Sequence, residues 1–183
     1  FDDYVRGVES LDERLRDLDA AIEKEAQTDD YRETVGLVRC FRGIDTLTAM
    51  TLLSELGDVT RFNSPRQLMA YLGLTPSEYS SGDRSRRGGI TKAGNAHARR
   101  VLIESAWHYR HGTRVGVRLR QRREGQPGWA IAIADKAQSR LTRRRKQLQD
   151  RGKPSTKATV AVARELVGFL WAALTHQALE TAA

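Results

Sequence analysis

Phe1, Tyr4, Val8, Leu11, Leu15, Leu18 and Ile22 recur at alternate spacings of three and four residues, the a/d pattern that places side chains along one seam of a helix. Charged residues such as Asp12, Arg16, Asp17 and Asp19 fill positions between them and can face water. The pattern runs for about three heptads, enough for a long helix and marginal for an autonomous dimer. Two readings stay open: an amphipathic helix packed on its own domain, or a coiled-coil arm that pairs in a hairpin or with another molecule. Residues 1–35 carry 12 Asp/Glu against 5 Lys/Arg, which argues against this helix lying along a phosphate backbone. The pattern is already running at Phe1, so a preceding segment is expected.

Helical signals continue along the chain. Val35–Asp58 holds a short apolar segment, a break at Gly43, and a new helix capped by Asp45 or Thr46 with Leu47, Met50, Leu52, Leu53 and Leu56 among its apolar positions. Gly57 is a suitable left-handed stop. Helix, glycine turn and helix together outline a helix-hairpin-helix element, whose backbone N–H groups can meet a phosphate. Ser64-Pro65 predicts a capped helix start, and Gly73 its end. Asn95 predicts the cap of a helix carrying Ala98, Val101, Leu102, Ala106 and Tyr109, with Arg99, Arg100 and Arg110 toward its exposed side. A turn at Gly125–Gly128 leads to a helix over 129–149, and Ser155 or Thr156 opens a last helix to about residue 178. No convincing period-two strand is present. The expected fold class is all-α: an acidic coiled-coil arm over residues 1–34 and a helical domain with a helix-hairpin-helix-like element over 35–183.

Composition narrows the partners. Hydrophobic residues make up 39% of the chain and there are four prolines, against wholesale disorder. The single Cys40 excludes an internal disulfide and a cysteine-based metal cluster, and its apolar neighbours suggest a buried small hydrophobe. No apolar run of membrane-spanning length or N-terminal signal is apparent, so a cytoplasmic protein with no membrane partner is expected. The net charge of +8 is uneven: residues 81–123 hold 12 Lys/Arg against 2 Asp/Glu, and residues 136–157 hold 9 against 1. That bias favours a polyanion, of which nucleic acid is the commonest. Part of the second block also suits a helix C-terminus.

Between two apolar helical patterns lies EYSSGDRSRRGGITKAGN, residues 78–95. Ser80 and Ser81 stand there beside Arg84, Arg86, Arg87 and Lys92. An alcohol is a poor nucleophile alone, but cations converging on a phosphate can stabilise the charge that develops as a serine attacks. The residues equally fit turn hydrogen bonds beside arginines that hold phosphate passively. His97, His108, His111 and His176 form no recognisable metal spacing. Gly88-Gly89 lacks the context of a nucleotide fingerprint, and the basic half offers no carboxylate pair for a two-metal site.

Taken in order, GIDTLTAMTLLSELGD, SPRQLMAYLGLTPSEYSSG, RRGGITKAGNAHARRVLIESAWHYR and VAVARELVGFLWAAL resemble the C-terminal transposase region of the IS110/IS116/IS902 family. The resemblance covers residues 35–124 and returns near 154–174, and the acidic helix before it looks like that family's coiled-coil segment. It implies a DNA recombinase of a prokaryotic mobile element whose C-terminal module supplies a serine nucleophile. Matched on the serine before glycine, that residue is Ser81, with Ser80 as the neighbouring alternative. It also implies DNA and a bridge RNA as partners, a homo-oligomer (dimer or tetramer), and a RuvC-like acidic domain holding Mg2+, which this sequence does not contain. No metal site or cofactor is expected in these residues. Arg84, Arg86, Arg87, Lys92, Arg99 and Arg100 are then expected to bind nucleic acid. A non-catalytic nucleic-acid-binding and oligomerisation module is the alternative.

Overall fold

The last helix organises the molecule. In the computed structural model, which describes residues 1–81 and 84–181 (backbone alone at 79–81, 84–87 and 179–181), α8 spans Ser155–Thr181. Val162, Ala163, Leu166, Val167, Leu170 and Ala173 on this helix are buried. Around it pack α2 (Arg32–Arg39), α4 (Pro65–Tyr71), α5 (Ala96–Trp107) and α7 (Gly128–Asp150). Phe41, Ile44, Leu52, Leu68, Leu102, Tyr109 and Leu141 complete the same core. Each large side chain withdrawn from water here contributes about 1.5–3 kcal/mol. The Trp171 indole donates to the Phe62 carbonyl at 2.9 Å, tying α8 to the segment before α4.

The central position of α8 also corrects an expectation. Ser155–Ala178 is long and apolar enough to cross a membrane, with a mean hydropathy of 1.4, although the sequence was expected to hold no such run. Half of that window is buried inside the fold, as a core helix requires. Small residues on all sides, such as Ala158, Ala163 and Ala173, let its neighbours approach closely and raise its hydropathy together.

Local signals place the other helices. α3 (Thr46–Leu56) begins at Asp45, whose carboxylate accepts from the Thr48 N–H at 2.9 Å, and it ends at Gly57 with φ +58°. Ser64 stands before α4 with Pro65 at the first helical position, but its side chain makes no capping bond. Instead the Gln67 side chain accepts from the Asn63 N–H at 2.8 Å. Asn95 caps α5 by accepting from the Ala98 N–H. A short basic helix, α6 (Val117–Arg123), occupies a stretch whose sequence announced only charge.

α1 (Asp2–Glu25) stands apart. It has no buried residue, and its apolar face is open, with Leu11 62%, Leu15 58% and Leu18 52% exposed. Only its C-terminal end joins the body, near α3, where Ala26 enters the core.

The all-α expectation needs one correction. Two strands, β1 (Pro76–Ser81) and β2 (Arg84–Ile90), pair antiparallel in the segment read as a polar loop. Pro76, Glu78, Gly88 and Gly89 are exposed. From Pro76 to Ile90 the sequence offers only Tyr79 and Ile90 as large apolar residues, so the alternation that marks a strand is missing.

Candidate nucleic-acid interface

The hairpin rises from a neck built by the ends of α4 and α5. The Thr91 N–H donates to the Thr75 carbonyl at 2.9 Å, and the Lys92 N–H to that of Gly73 at 3.1 Å. Lys92 itself has φ +57°, an uncommon conformation for a side chain of its size. Gly94, at φ +81°, lies so close to the Tyr71 carbonyl that an added Cβ would collide with it. Leu72 and Leu74 are fully buried beneath the neck, anchoring it to the core. Ser77 Oγ donates to the Gly89 carbonyl at 3.1 Å, binding the two strands above it.

Above the neck, the register sets Glu78 opposite Arg87, Tyr79 opposite Arg86, Ser80 opposite Ser85, and Ser81 opposite Arg84, with an irregularity between Pro76 and Glu78. The backbone therefore brings both candidate serines and three candidate cations onto one short ribbon. The side chains of Ser80, Ser81, Arg84, Arg86 and Arg87 lie outside the described residues.

The remaining expected cations lie at the neck and on α5. Lys92 is exposed. Arg99 directs Nη1 at the carbonyls of Leu72 (2.9 Å) and Ala93 (3.3 Å), so this guanidinium joins α5 to both sides of the neck. Arg100 is exposed and pairs with Glu104 at 2.9 Å, a contact worth little in water.

A polar cluster beside the neck was not legible in the sequence. Glu55, on α3, accepts from Asn95 Nδ2 at 2.6 Å and meets His97 Nδ1 at 2.8 Å. The Asn95 and His97 bonds hold the Glu55 carboxyl below its ordinary value. Three residues from two distant segments thus fix the start of α5 against α3. Their sequence separation of about forty residues gave no local signal.

Some of the positive charge is internal. Arg123 is 8% exposed; it donates to the Cys40 carbonyl at 3.0 Å and pairs with Asp135 at 2.7 Å. Arg145, 3% exposed, donates to the hydroxyls of Thr159 (2.6 Å) and Ser155 (2.8 Å) and stacks over Trp107. These arginines join helices and are withdrawn from any polyanion. Cys40 is buried as expected, and burial pushes its thiol up despite the nearby arginines. Among the described residues, no three His, Cys, Asp or Glu side chains converge to hold a metal ion. His176 stacks on Trp129 at 4.2 Å, and His111 accepts from Arg110.

Comparison with known proteins gives this arrangement a family. Residues 36–126 match the family described as Transposase IS116/IS110/IS902, a stretch that runs from α2 through the hairpin and α5 to α6. The chain is 52% identical over 135 residues to the putative transposase y4qE of Sinorhizobium fredii, covering 74% of this chain and 35% of that protein. It is 33% identical over 154 residues to the transposase for insertion sequence element IS1533 of Leptospira borgpetersenii, covering 84% and 44%. With the transposase for insertion sequence element IS1111A of Coxiella burnetii it shares 29% over 167 residues, covering 91% and 39%. It thus spans less than half the length of these relatives. The matched region contains the hairpin, its neck and the capped start of α5, and the chain belongs to the IS116/IS110/IS902 family of transposases.

Proposed function

We propose that this chain is a serine-bearing module of a DNA recombinase and that Ser81 is its nucleophile. The observation that carries the reading is the backbone register: Ser81 closes β1 opposite Arg84, on a ribbon that also carries Arg86 and Arg87. In the proposed step, Ser81 Oγ attacks phosphorus, one P–O ester bond to DNA forms at serine, and the bond to a deoxyribose oxygen breaks. The serine proton leaves to a base, and the departing oxygen takes up a proton. One ester replaces another, so the step is reversible and can be resolved by a second DNA hydroxyl. The arginines stabilise the charge on the phosphoryl oxygens, with Lys92 and Arg100 extending the basic surface.

The partners follow from the same reading: DNA as substrate, a structured bridge RNA that selects it, and a second copy of the chain joined through the open Leu11, Leu15 and Leu18 face of α1. The α2, Gly43 and α3 segment serves as the helix-hairpin-helix-like brace. Mg2+ belongs to an acidic RuvC-like domain outside these residues, and no step here depends on it. The bacterial relatives support a prokaryotic mobile element, and the compartment proposed for it is the cytoplasm.

The test is strand exchange by the complete recombinase carrying Ser81→Ala or Ser80→Ala. Loss of at least a thousandfold with Ser81→Ala and retention with Ser80→Ala is expected, by the scale of losing a covalent nucleophile, about 10³ or more. Full activity of Ser81→Ala, with DNA binding intact, would favour the non-catalytic binding and oligomerisation module instead.

A further inference from the structure

At the end of α5 opposite the hairpin neck, the turn between α2 and α3 and the facing helix α6 enclose a cavity of about 760 Å³. Four arginines line it, Arg39, Arg42, Arg118 and Arg122, together with His108 and the backbone of Gly43. Gly43 has φ +82°, and an added Cβ would lie 2.5 Å from the Ser105 carbonyl, so the turn is held tight against α5. The one carboxylate in the lining is Asp45, and it is engaged as the cap of α3. Burial pushes the Asp45 carboxyl up, but the two Thr48 bonds and the Arg122 charge outweigh it and hold the group below its ordinary value.

The arginines are incompletely partnered. Arg42 donates through Nη2 to the Arg114 carbonyl, and Arg122 through Nη1 to that of Ile44, each at 2.5 Å. The Nε–H groups of Arg39, Arg42 and Arg122 are all buried without a hydrogen-bond partner. Buried donors of charged groups are costly when unmade, and here three belong to side chains around one cavity. Burial lowers the affinity of Arg42 and Arg122 for their protons; Tyr109 opposes this at Arg42 and Asp45 at Arg122, while Arg123 adds to it at both and Arg39 at Arg122. His108 is also held below its ordinary value, by burial and then by His111, Arg110, Arg42 and Arg122. Four arginines thus face a single carboxylate in this lining.

The other arginine-lined cavity differs in having a carboxylate paired with its arginines. In the smaller basic cavity at α7 and α8, Glu165 pairs with Arg140 at 2.8 Å and with Arg144 at 3.1 Å. The lining at Gly43 lacks such a partner and uses arginine without lysine, the side chain whose planar fork matches a phosphate.

We propose that this cavity is a second phosphate site, in which Arg39, Arg42, Arg118 and Arg122 hold a backbone phosphodiester of the bound nucleic acid. The proposal rests on the nucleic-acid reading given above and adds a fixed point to it. α5 separates the site from the hairpin neck: Asn95 caps its first turn, and His108 follows its last residue. At 1.5 Å per residue, its 12 residues span about 18 Å. A strand gripped at both ends of α5 is positioned by the cavity and presented to the hairpin, so the site sets register and takes no part in bond exchange.

The test uses the full chain, with arginine Nε–H resonances followed by NMR during titration with a 20-base-pair DNA duplex and, separately, with inorganic phosphate. The duplex should move the Nε–H signals of Arg39, Arg42 and Arg122 and leave that of Arg140 in place. Arg39→Gln combined with Arg118→Gln removes two side chains that make no hydrogen bond or ion pair among the described residues. This variant should bind the duplex about tenfold more weakly near 0.15 M salt. Its slope of log affinity against log salt should be shallower by about 1. Unmoved Nε–H signals with an unchanged salt slope would overturn the second site and leave the nucleic-acid reading standing. A response to inorganic phosphate but none to a duplex that binds would overturn it in favour of a free-phosphate site. Failure of the parent chain to bind duplex DNA or structured RNA would sink the nucleic-acid reading itself. The parent titration decides even if the double variant does not fold.

Discussion

At the scale of single residues, Glu55 shows what sequence could not supply. Its helix was legible from apolar periodicity, but its bonds to Asn95 and His97 join segments separated by a turn, α4 and the hairpin. The consequence is a pH dependence with a definite sign. The folded state holds the Glu55 carboxyl below its ordinary value of 4.5, as it does those of Asp45 and Asp58 below 3.8. A depressed carboxylate stabilises the fold above its unfolded value, and that contribution is lost as pH falls through the folded one. The melting temperature should therefore drop as pH falls below about 4.5. In Glu55→Gln the drop should be smaller, because one of the three titrating groups is gone; thermal melts between pH 3 and 7 check this, and an identical acid limb would contradict it. Capping was more legible. Asp45 and Asn95 stood before apolar periods, and both accept from the third backbone N–H beyond them. Arg123 and Arg145 were counted with the basic surface because charge along a sequence carries no mark of burial.

At the scale of elements, the helices were readable from apolar periodicity, α1 included although its seam stays open, and the hairpin was not because its strands carry too few apolar residues to alternate. Its polar, arginine-rich strands are defined by pairing register and by a neck anchored on Leu72 and Leu74. Isolated two-stranded ribbons are marginal in water, so the neck decides whether this one persists. Gly94→Ala tests that dependence. A Cβ at φ +81° would be strained and would meet the Tyr71 carbonyl, with an expected cost of about 1–3 kcal/mol. Denaturant unfolding measures the loss, and amide exchange at Thr91 and Lys92 should accelerate with it. A variant with parental stability and exchange would show that the neck tolerates a different backbone. The candidate site was legible as a set of residue types, serine among arginines. Their register across two strands, and the distant cavity at Gly43, required the folded chain.

At the scale of the whole molecule, α8 holds the helical body together while α1 leaves it with its apolar seam open. The heptad spacing was legible from the first residue; what covers it was not, because the same spacing serves a core or a partner. The proposed second copy makes a direct prediction: Leu11→Glu with Leu15→Glu should shift sedimenting species from dimer or larger to monomer, with the helical circular dichroism of the body retained. A parent chain that is already monomeric at tens of micromolar would contradict it. The central claim, however, is chemical. The most direct measurement traps the protein–DNA intermediate in the complete recombinase, digests it and maps the nucleotide-bearing peptide by mass spectrometry. A phosphoester on Ser81 is the predicted result; a covalent link on any other residue, or strand exchange with no covalent link to this hairpin, would contradict it.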